Sequence, residues 1–325
     1  IVPALTWGTS IFPIAQVGAI PVLVDVDPDS YTINPEAIEA AITPRTKAIM
    51  VVHLLGHAAD MDTILPIADR HDLRVLEDVC QGIGAEYKGR KAGSFGNLAT
   101  FSFFYSHHLS TIEGGMILCN DVLANRCRSL RAHGWIREMW EKGDIAKANP
   151  SIDPRFLFAY AGYNMRPTEI AGAFGVHQLP RLDSEIEHRR SLAGFFNTEL
   201  QAYDEWLKLP TEALSTHHSF FAYPVVVKRG APFTKVQFQD FLEKKGLETR
   251  QIAGGNMAIQ PAMRRLVFRQ HALPNTEYMH NNAFYWGLHR GIGDREKNAI
   301  VGYVHEFIEE HVENKRSKVI KECVR

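Results

Sequence analysis

Two adjacent histidines, His107 and His108, occupy a polar turn between the apolar runs Phe101–Tyr105 and Met116–Cys119. Imidazole takes and gives a proton near neutral pH, so a histidine where a buried strand ends is a candidate general acid or base. Asp78 closes another apolar run, Leu73-Arg74-Val75-Leu76-Glu77-Asp78, and Gln81 follows it. Open parallel sheets bind ligands outside the carboxyl ends of their strands. Asp78, Gln81 and His107 are therefore expected to meet at one mouth. Plainer readings exist for each: a His-His pair can be ordinary loop, and Asp78 can cap a helix starting at Val79.

A metal is the other chemistry that 15 histidines suggest. Neither His107-His108 nor His217-His218 has the i, i+4 helical spacing with a nearby acid that zinc sites use, so no metal site is expected. The 36 basic and 37 acidic residues balance to a net charge of −1, which argues against nucleic acid as a partner. No apolar run approaches the roughly 20 residues of a membrane span, and no signal peptide is visible. Cys80, Cys119, Cys127 and Cys323 share no CxxC spacing, and reduced, buried thiols in a cytoplasmic protein fit them best.

Elements must position these residues. A chain of 325 residues is expected to form two domains, a larger one over 1–185 and a smaller one over 186–325. Strands are expected over Ala19–Val26, Lys47–His53, Leu73–Asp78 and Ala99–Phe104. Asn34-Pro35-Glu36 signals a helix start, and Asp62 is expected to cap a second helix. Strand alternating with helix means right-handed βαβ units and a mostly parallel sheet covered on both faces, an α/β fold. The polar stretch from Gly143 to Asp153 reads as a mobile loop. From Thr168 a helical period begins, and Asp183–Arg190 opens a long amphipathic helix between the domains. A strand over Phe221–Val227 and helices over Lys235–Lys245 and Asp294–Val312 make the second domain a small α+β unit. The chain starts at Ile1 without methionine and without an element before Trp7, so a segment upstream is expected to be missing.

A family pattern runs along nearly the whole chain. Its pieces, in order, are Pro3-Ala4-Leu5-Thr6-Trp7, Gly18–Val22 with Asp25, Ile42–Ile49, Val52-His53 with Gly56, Glu77-Asp78, Phe101-Ser102-Phe103, Glu113–Met116 and Gly162-Tyr163-Asn164. On these the chain resembles the sugar-nucleotide aminotransferases, pyridoxal-phosphate proteins of the aspartate-aminotransferase fold (fold type I) acting on 4-keto-6-deoxy sugars. The departure is informative. Typical members carry a lysine, followed by Asn, where this chain has His107-His108; that lysine holds the cofactor covalently. Imidazole cannot do so, but it can move protons. The change resembles the family's 3-dehydratase branch, which works from pyridoxamine phosphate. Thr249–Ala262 and Leu273–Gly287 resemble that branch as well. One of its two kinds binds an iron–sulfur cluster, which takes about four cysteines. The corresponding stretch here, Leu130–Trp140, has none, so the cluster-free kind is expected.

The resemblance implies roles. Asp78 would hold the pyridine nitrogen, Trp7 would stack on the ring, Gln81 would bond near it, and Ser102 would bind the phosphate. Asn164 would reach the phosphate of the neighbouring subunit in a homodimer with shared sites. The family's phosphate-binding Gly-Ser/Thr turn, normally upstream of Pro3, is not in this chain. His107 would be the acid/base that removes the C3 hydroxyl of a nucleotide-linked 4-keto-6-deoxy sugar, with glutamate as amino donor. Arg250 is a candidate for the glutamate carboxylate or a substrate phosphate, or else a surface ion pair. His108, His217 and His218 are candidates for the sugar pocket. An aminotransferase that lost its lysine, and a non-catalytic sugar-nucleotide-binding protein, stay open, as does the choice of GDP or CDP.

Overall fold

The computed structural model describes the backbone of residues 1–323 and the side chains through residue 312. Strands Ala48–Val52, Arg74–Asp78 and Leu98–Ser102 lie parallel in that spatial order. Their register sets Val52 beside Asp78 and Asp78 beside Thr100, so the three carboxyl ends are level. These strands are short, β-branched and apolar, as a sheet buried under crossover helices requires. Helix Pro35–Ala41 buries Ile38 and Ala41, and helix Met61–Arg70 buries Met61, Ile64, Ile67 and Ala68.

Capping explains where the helices begin. Asn34 accepts a bond from the Glu36 amide, as expected. The second helix is capped by Asp60 rather than Asp62: Asp60 accepts from the Thr63 amide at 3.3 Å and from the Thr63 hydroxyl at 2.6 Å. A cap must sit one residue before the first turn to reach the free amide at its third position, and Asp62 is already inside that turn. Thr168 caps Glu169–Gln178 by accepting from the Ala171 amide.

A second parallel sheet sets Val22–Val24 between Val2–Pro3 and Arg269–Gln270, so the C-terminal half returns a strand to the N-terminal half. Bonds from the Met50 amide to the Ile1 carbonyl (2.8 Å) and from the Ile1 amine to the Ala48 carbonyl (2.9 Å) join the two sheets. An antiparallel sheet of Thr249–Gln251, Ala283–Gly287, Ala222–Val227 and Leu207–Lys208 forms the C-terminal half. Helices Leu182–Leu200, Lys235–Lys244 and Asp294–Cys323 accompany it. Its core is aromatic, with Phe196, Phe238, Phe284, Trp286 and Phe307 in mutual contact. A smaller core of Leu5, Val26, Val52, Leu55, Ala222, Val226 and Ile252 locks the halves together.

Other expectations are corrected. Gly143–Asp153 is not wholly irregular, because Lys142–Ala148 forms a short helix. The last helix continues past Val312 to Cys323. Gly115–Cys119 pairs antiparallel with Leu98–Ser102 at the sheet edge, and Met116, Ile117 and Leu118 are 48, 49 and 47% exposed. This end of the sheet is therefore not covered on both faces. Cys80, Cys119 and Cys127 are free thiols but half-buried, and the Cys323 side chain lies outside the described residues.

Candidate active site

Asp78 ends its strand nearly buried, at 9% exposure. No helix starts at Val79; instead Oδ1 accepts from the Cys80 amide at 3.0 Å in a tight turn. Oδ2 accepts from the Ser10 hydroxyl at 2.7 Å, and Ser10 in turn accepts from Thr6 at 2.9 Å. This relay pins the start of helix Gly8–Gln16 against the strand ends, with Trp7 at the residue just before it. Trp7 itself is 59% exposed. Among the described residues, no Lys, Arg or His side chain ion-pairs with Asp78, although it is buried. Burial, with the Asp78 charge next, pushes the Cys80 thiol up, so it stays protonated.

His107 follows the neighbouring strand and leans edge-on against Phe221 (5.2 Å) and Phe104 (5.9 Å). Its Nδ1 is buried without a partner. Burial pushes its pKa down; the Phe104 carbonyl and the Asp78 charge oppose that, and the Arg189 cation adds to it. The strand ends thus place Asp78 and His107 within each other's field, as expected from level strands. Ser102 lies two residues past Thr100 and accepts from the Phe104 amide at 3.2 Å.

A knot of backbone bonds supports His107 from behind. Gln81 accepts from the Leu55 amide at 3.1 Å, and the Leu55 carbonyl accepts from the Phe221 amide at 2.8 Å. The Gly56 carbonyl takes the Ser219 amide at 2.9 Å. Gly56 has φ +91°, and a Cβ there would stand 2.6 Å from Ser219 Oγ and 2.7 Å from the Phe220 nitrogen, so this approach needs glycine. His108 Nε2 donates to the Ser219 carbonyl at 2.9 Å. Arg189 donates through Nη1 to the Phe221 carbonyl at 2.8 Å.

The other expected residues lie outside this cluster. His108 and His218 are buried, at 5% and 1% exposure, and face the interior instead of an open sugar pocket. Burial first, then the Arg189 cation, pushes His108 down to about 3. His218 is stacked on Phe220 at 3.9 Å, and burial holds its pKa far below the ordinary value. His217 stands in a short strand paired with Glu86–Tyr87, half-buried and 3.7 Å from Glu187. Asn164 is exposed and bridges Ala132, without a described contact to the Asp78 site in its own subunit.

Arg250 forms an ion pair with Glu248 through Nε (2.9 Å) and Nη2 (2.7 Å). The pair also borders a cleft of about 780 Å³ that opens beside His107, between the halves of the chain. Sequence reading missed Arg189, Tyr105 and Tyr285, which share this cleft. Arg189 follows the largely acidic run Asp183–His188, and nothing in that run marks it as inward-facing.

A model of the DegT/DnrJ/EryC1/StrS aminotransferase family matches residues 1–305. The chain belongs to this family. A solved E. coli GDP-4-keto-6-deoxy-D-mannose-3-dehydratase with bound hydrated PLP shares the fold with a TM-score of 0.86 at 31% identity, over 93% of this chain and 78% of that one. The fold is thus the α/β, fold-type I architecture of these proteins. A GDP-4-keto-6-deoxy-D-mannose 3-dehydratase of Yersinia pseudotuberculosis is 39% identical over 260 residues, 79% of this chain and 65% of the relative. A GDP-perosamine synthase of Caulobacter vibrioides is 40% identical over 255 residues, 78% of this chain and 64% of the relative. The chain therefore spans slightly less than two thirds of the length of these two relatives.

Proposed function

We propose that this chain is a 3-dehydratase that removes the C3 hydroxyl from a nucleotide-linked 4-keto-6-deoxyhexose. Its cofactor is pyridoxal phosphate and its amine form, pyridoxamine phosphate, held without a covalent bond, with glutamate restoring the amine. The observation that carries this reading is His107, which the resemblance sets at the family's lysine position, within the field of Asp78, with Nδ1 free and its pKa held low.

The residues present fit that cofactor. A buried carboxylate without a cation among its described neighbours suits a protonated pyridine nitrogen, whose charge would compensate it. The exposed Trp7 indole offers a flat face beside it, and Ser102 retains a hydroxyl donor for the phosphate. Gln81 has its carbonyl engaged by Leu55 and its amide nitrogen available at the ring edge. When bound, the cofactor supplies an amine to join the sugar ketone and a ring that withdraws electrons.

His107 does the proton work. A neutral imidazole with a free Nδ1 is a base, and once protonated it is an acid within reach of the departing C3 oxygen, which leaves as water. Phe104 and Phe221 exclude solvent from two sides of the ring. Arg250, oriented by Glu248 at the cleft edge, binds substrate phosphate or the glutamate carboxylate. His217, half-buried, is a weaker candidate for the far end of the sugar nucleotide. Among the described residues, Cys80 adjoins Asp78 while Cys119 and Cys127 neighbour each other elsewhere, and this scatter supports the cluster-free reading.

The chain works as a homodimer in this reading. Asn164 would serve the partner's cofactor phosphate, and the exposed apolar Met116, Ile117, Leu118, Phe174 and Leu179 would be covered. We place it in the cytoplasm; no described helix is long and apolar enough to cross a membrane. Separate cores support a division into two domains near residue 185, with Arg269–Gln270 crossing back. The second reading, a 4-aminotransferase, is favoured by the similarity to a GDP-perosamine synthase. Mass spectrometry of the sugar product decides, after incubation with pyridoxal phosphate, glutamate and GDP- or CDP-linked 4-keto-6-deoxyhexoses. Loss of the C3 oxygen without gain of nitrogen supports dehydration. A 4-amino sugar establishes the second reading, and no turnover with bound cofactor points to a binding protein.

A further inference from the structure

The cleft beside His107 is bordered by three permanent cations, Lys245, Arg250 and Arg189. Two have carboxylate partners: Lys245 Nζ meets Glu306 at 2.7 Å, and Arg250 meets Glu248 at 2.7 Å. Arg189 has none among the described residues. It is nevertheless the most buried of the three, at 9% exposure. The acid one turn before it, Glu185, is engaged by Arg290 and lies 3.7 Å from Arg181.

The guanidinium is held rather than loose. Nη1 donates to the Phe220 and Phe221 carbonyls at 3.4 and 2.8 Å, and this anchors it to the same loop that receives His108. Nε is buried with no partner, and no described residue accepts from Nη2. Burying a cation without a paired carboxylate is costly, and the neutral carbonyls and the field of Glu185 offset that cost only in part. Such a cost persists in a fold when a ligand supplies the missing charge. A planar fork already fixed by two carbonyls suits an oxyanion with little entropy left to lose.

We propose that Arg189 is the anion anchor of this cleft, taking one carboxylate or phosphate group of a ligand through the donors its own fold leaves unpaired. The inference rests on the cleft beside His107 being the reaction site. The two sources of that anion are a dicarboxylate amino donor and the diphosphate of a nucleotide sugar.

Calorimetric titration of the whole chain with glutarate and, separately, with inorganic pyrophosphate tests this without turnover. A failure here is therefore distinct from a failure of the dehydratase reading. The expected result is saturable binding of one probe, weakened about tenfold to a hundredfold in Arg189→Gln and partly restored in Arg189→Lys, the loss of one charge-assisted contact. Lys245→Gln, at the cleft border but already paired with Glu306, should change the same binding by less than twofold. Glutarate as the winning probe assigns the anchor to the donor, and pyrophosphate assigns it to the nucleotide. No binding of either probe at millimolar concentration overturns the proposal, and so does binding lost in Arg250→Gln but kept in Arg189→Gln. If Arg189→Gln does not fold, phenylglyoxal labelling of the unaltered protein gives the answer. Protection of Arg189 by the probe supports the anchor, and labelling that the probe does not change refutes it.

Discussion

Asp78→Asn separates the charge of the strand-end carboxylate from its structural bonds. Asparagine keeps the shape and can still accept from the Cys80 amide, the bond that Oδ1 makes at 3.0 Å. The Ser10 hydroxyl, which donates to Oδ2 at 2.7 Å, can rotate to accept from the new amide nitrogen. The fold should therefore lose little, about 1 kcal/mol for one weakened buried bond. The pyridine nitrogen loses a charge-assisted partner, a change of roughly 1.5–3 kcal/mol, which is about tenfold to 150-fold in affinity for pyridoxamine phosphate. Absorbance or fluorescence titration with the cofactor, beside urea unfolding of the same variant, reads both quantities. Affinity unchanged within twofold in a folded variant would refute the placement of the ring against Asp78. Equal losses of stability and affinity would show that the residue acts as a structural pin.

His107→Asn should lower turnover by about 10²–10⁴-fold, the usual worth of a positioned acid or base, while cofactor binding changes little. Single-turnover product analysis with a separate cofactor titration checks it. The pH profile follows from the same residue: burial lowers its pKa, so the basic form persists below pH 6.5 and activity falls only as pH drops through that lowered value. A kcat/KM profile still climbing well above pH 6.5 counts against His107 as the base. Stability should also fall with acid, because His108 is held near 3 and His57 and His218 are lowered too. Their unfolded forms bind protons that the native state refuses, so the contribution is complete above about pH 6.5. It declines by about 1.4 kcal/mol per pH unit for each such group below it. Urea unfolding at pH 7.5 and 5.5 measures this, and His108→Phe should flatten the difference. Gly56→Ala places a Cβ against Ser219 and Phe220 at a positive φ, and should cost about 2 kcal/mol or more in unfolding free energy. Little effect would mean that the Gly56–Ser219 contact is loose.

Local pattern was sufficient for much of the N-terminal half. Three apolar runs became strands within a residue or two, because a short β-branched run has few other ways to bury itself, while Ala19–Val26 kept only Val22–Val24 as strand. Asn34 and Thr168 announced their helices through bonds spanning two or three residues. Asp78 and His107 could be placed for the same reason: one ends a strand, the other follows a strand, and parallel strands in register bring their ends level. Identical residue types could not be sorted this way. His107 lines the cleft while the adjacent His108 is buried against Ser219, a partner 111 residues away. The fate of His218 depends on stacking with Phe220 and on His57 across the knot. Arg189 differs from Arg190, which pairs with Glu212, because helix Leu182–Leu200 turns it toward the Phe220 and Phe221 carbonyls. Strand Arg269–Gln270 joins Val22–Val24 across some 250 residues of chain, as the bond from Asn275 to Asp25 also does. The sequence by itself determined many of the strands and helices, and that a histidine would follow the strand beside that of Asp78. Tertiary structure decided which histidine and which arginine face the cleft, because burial is settled by partners distant in sequence and not by local spacing.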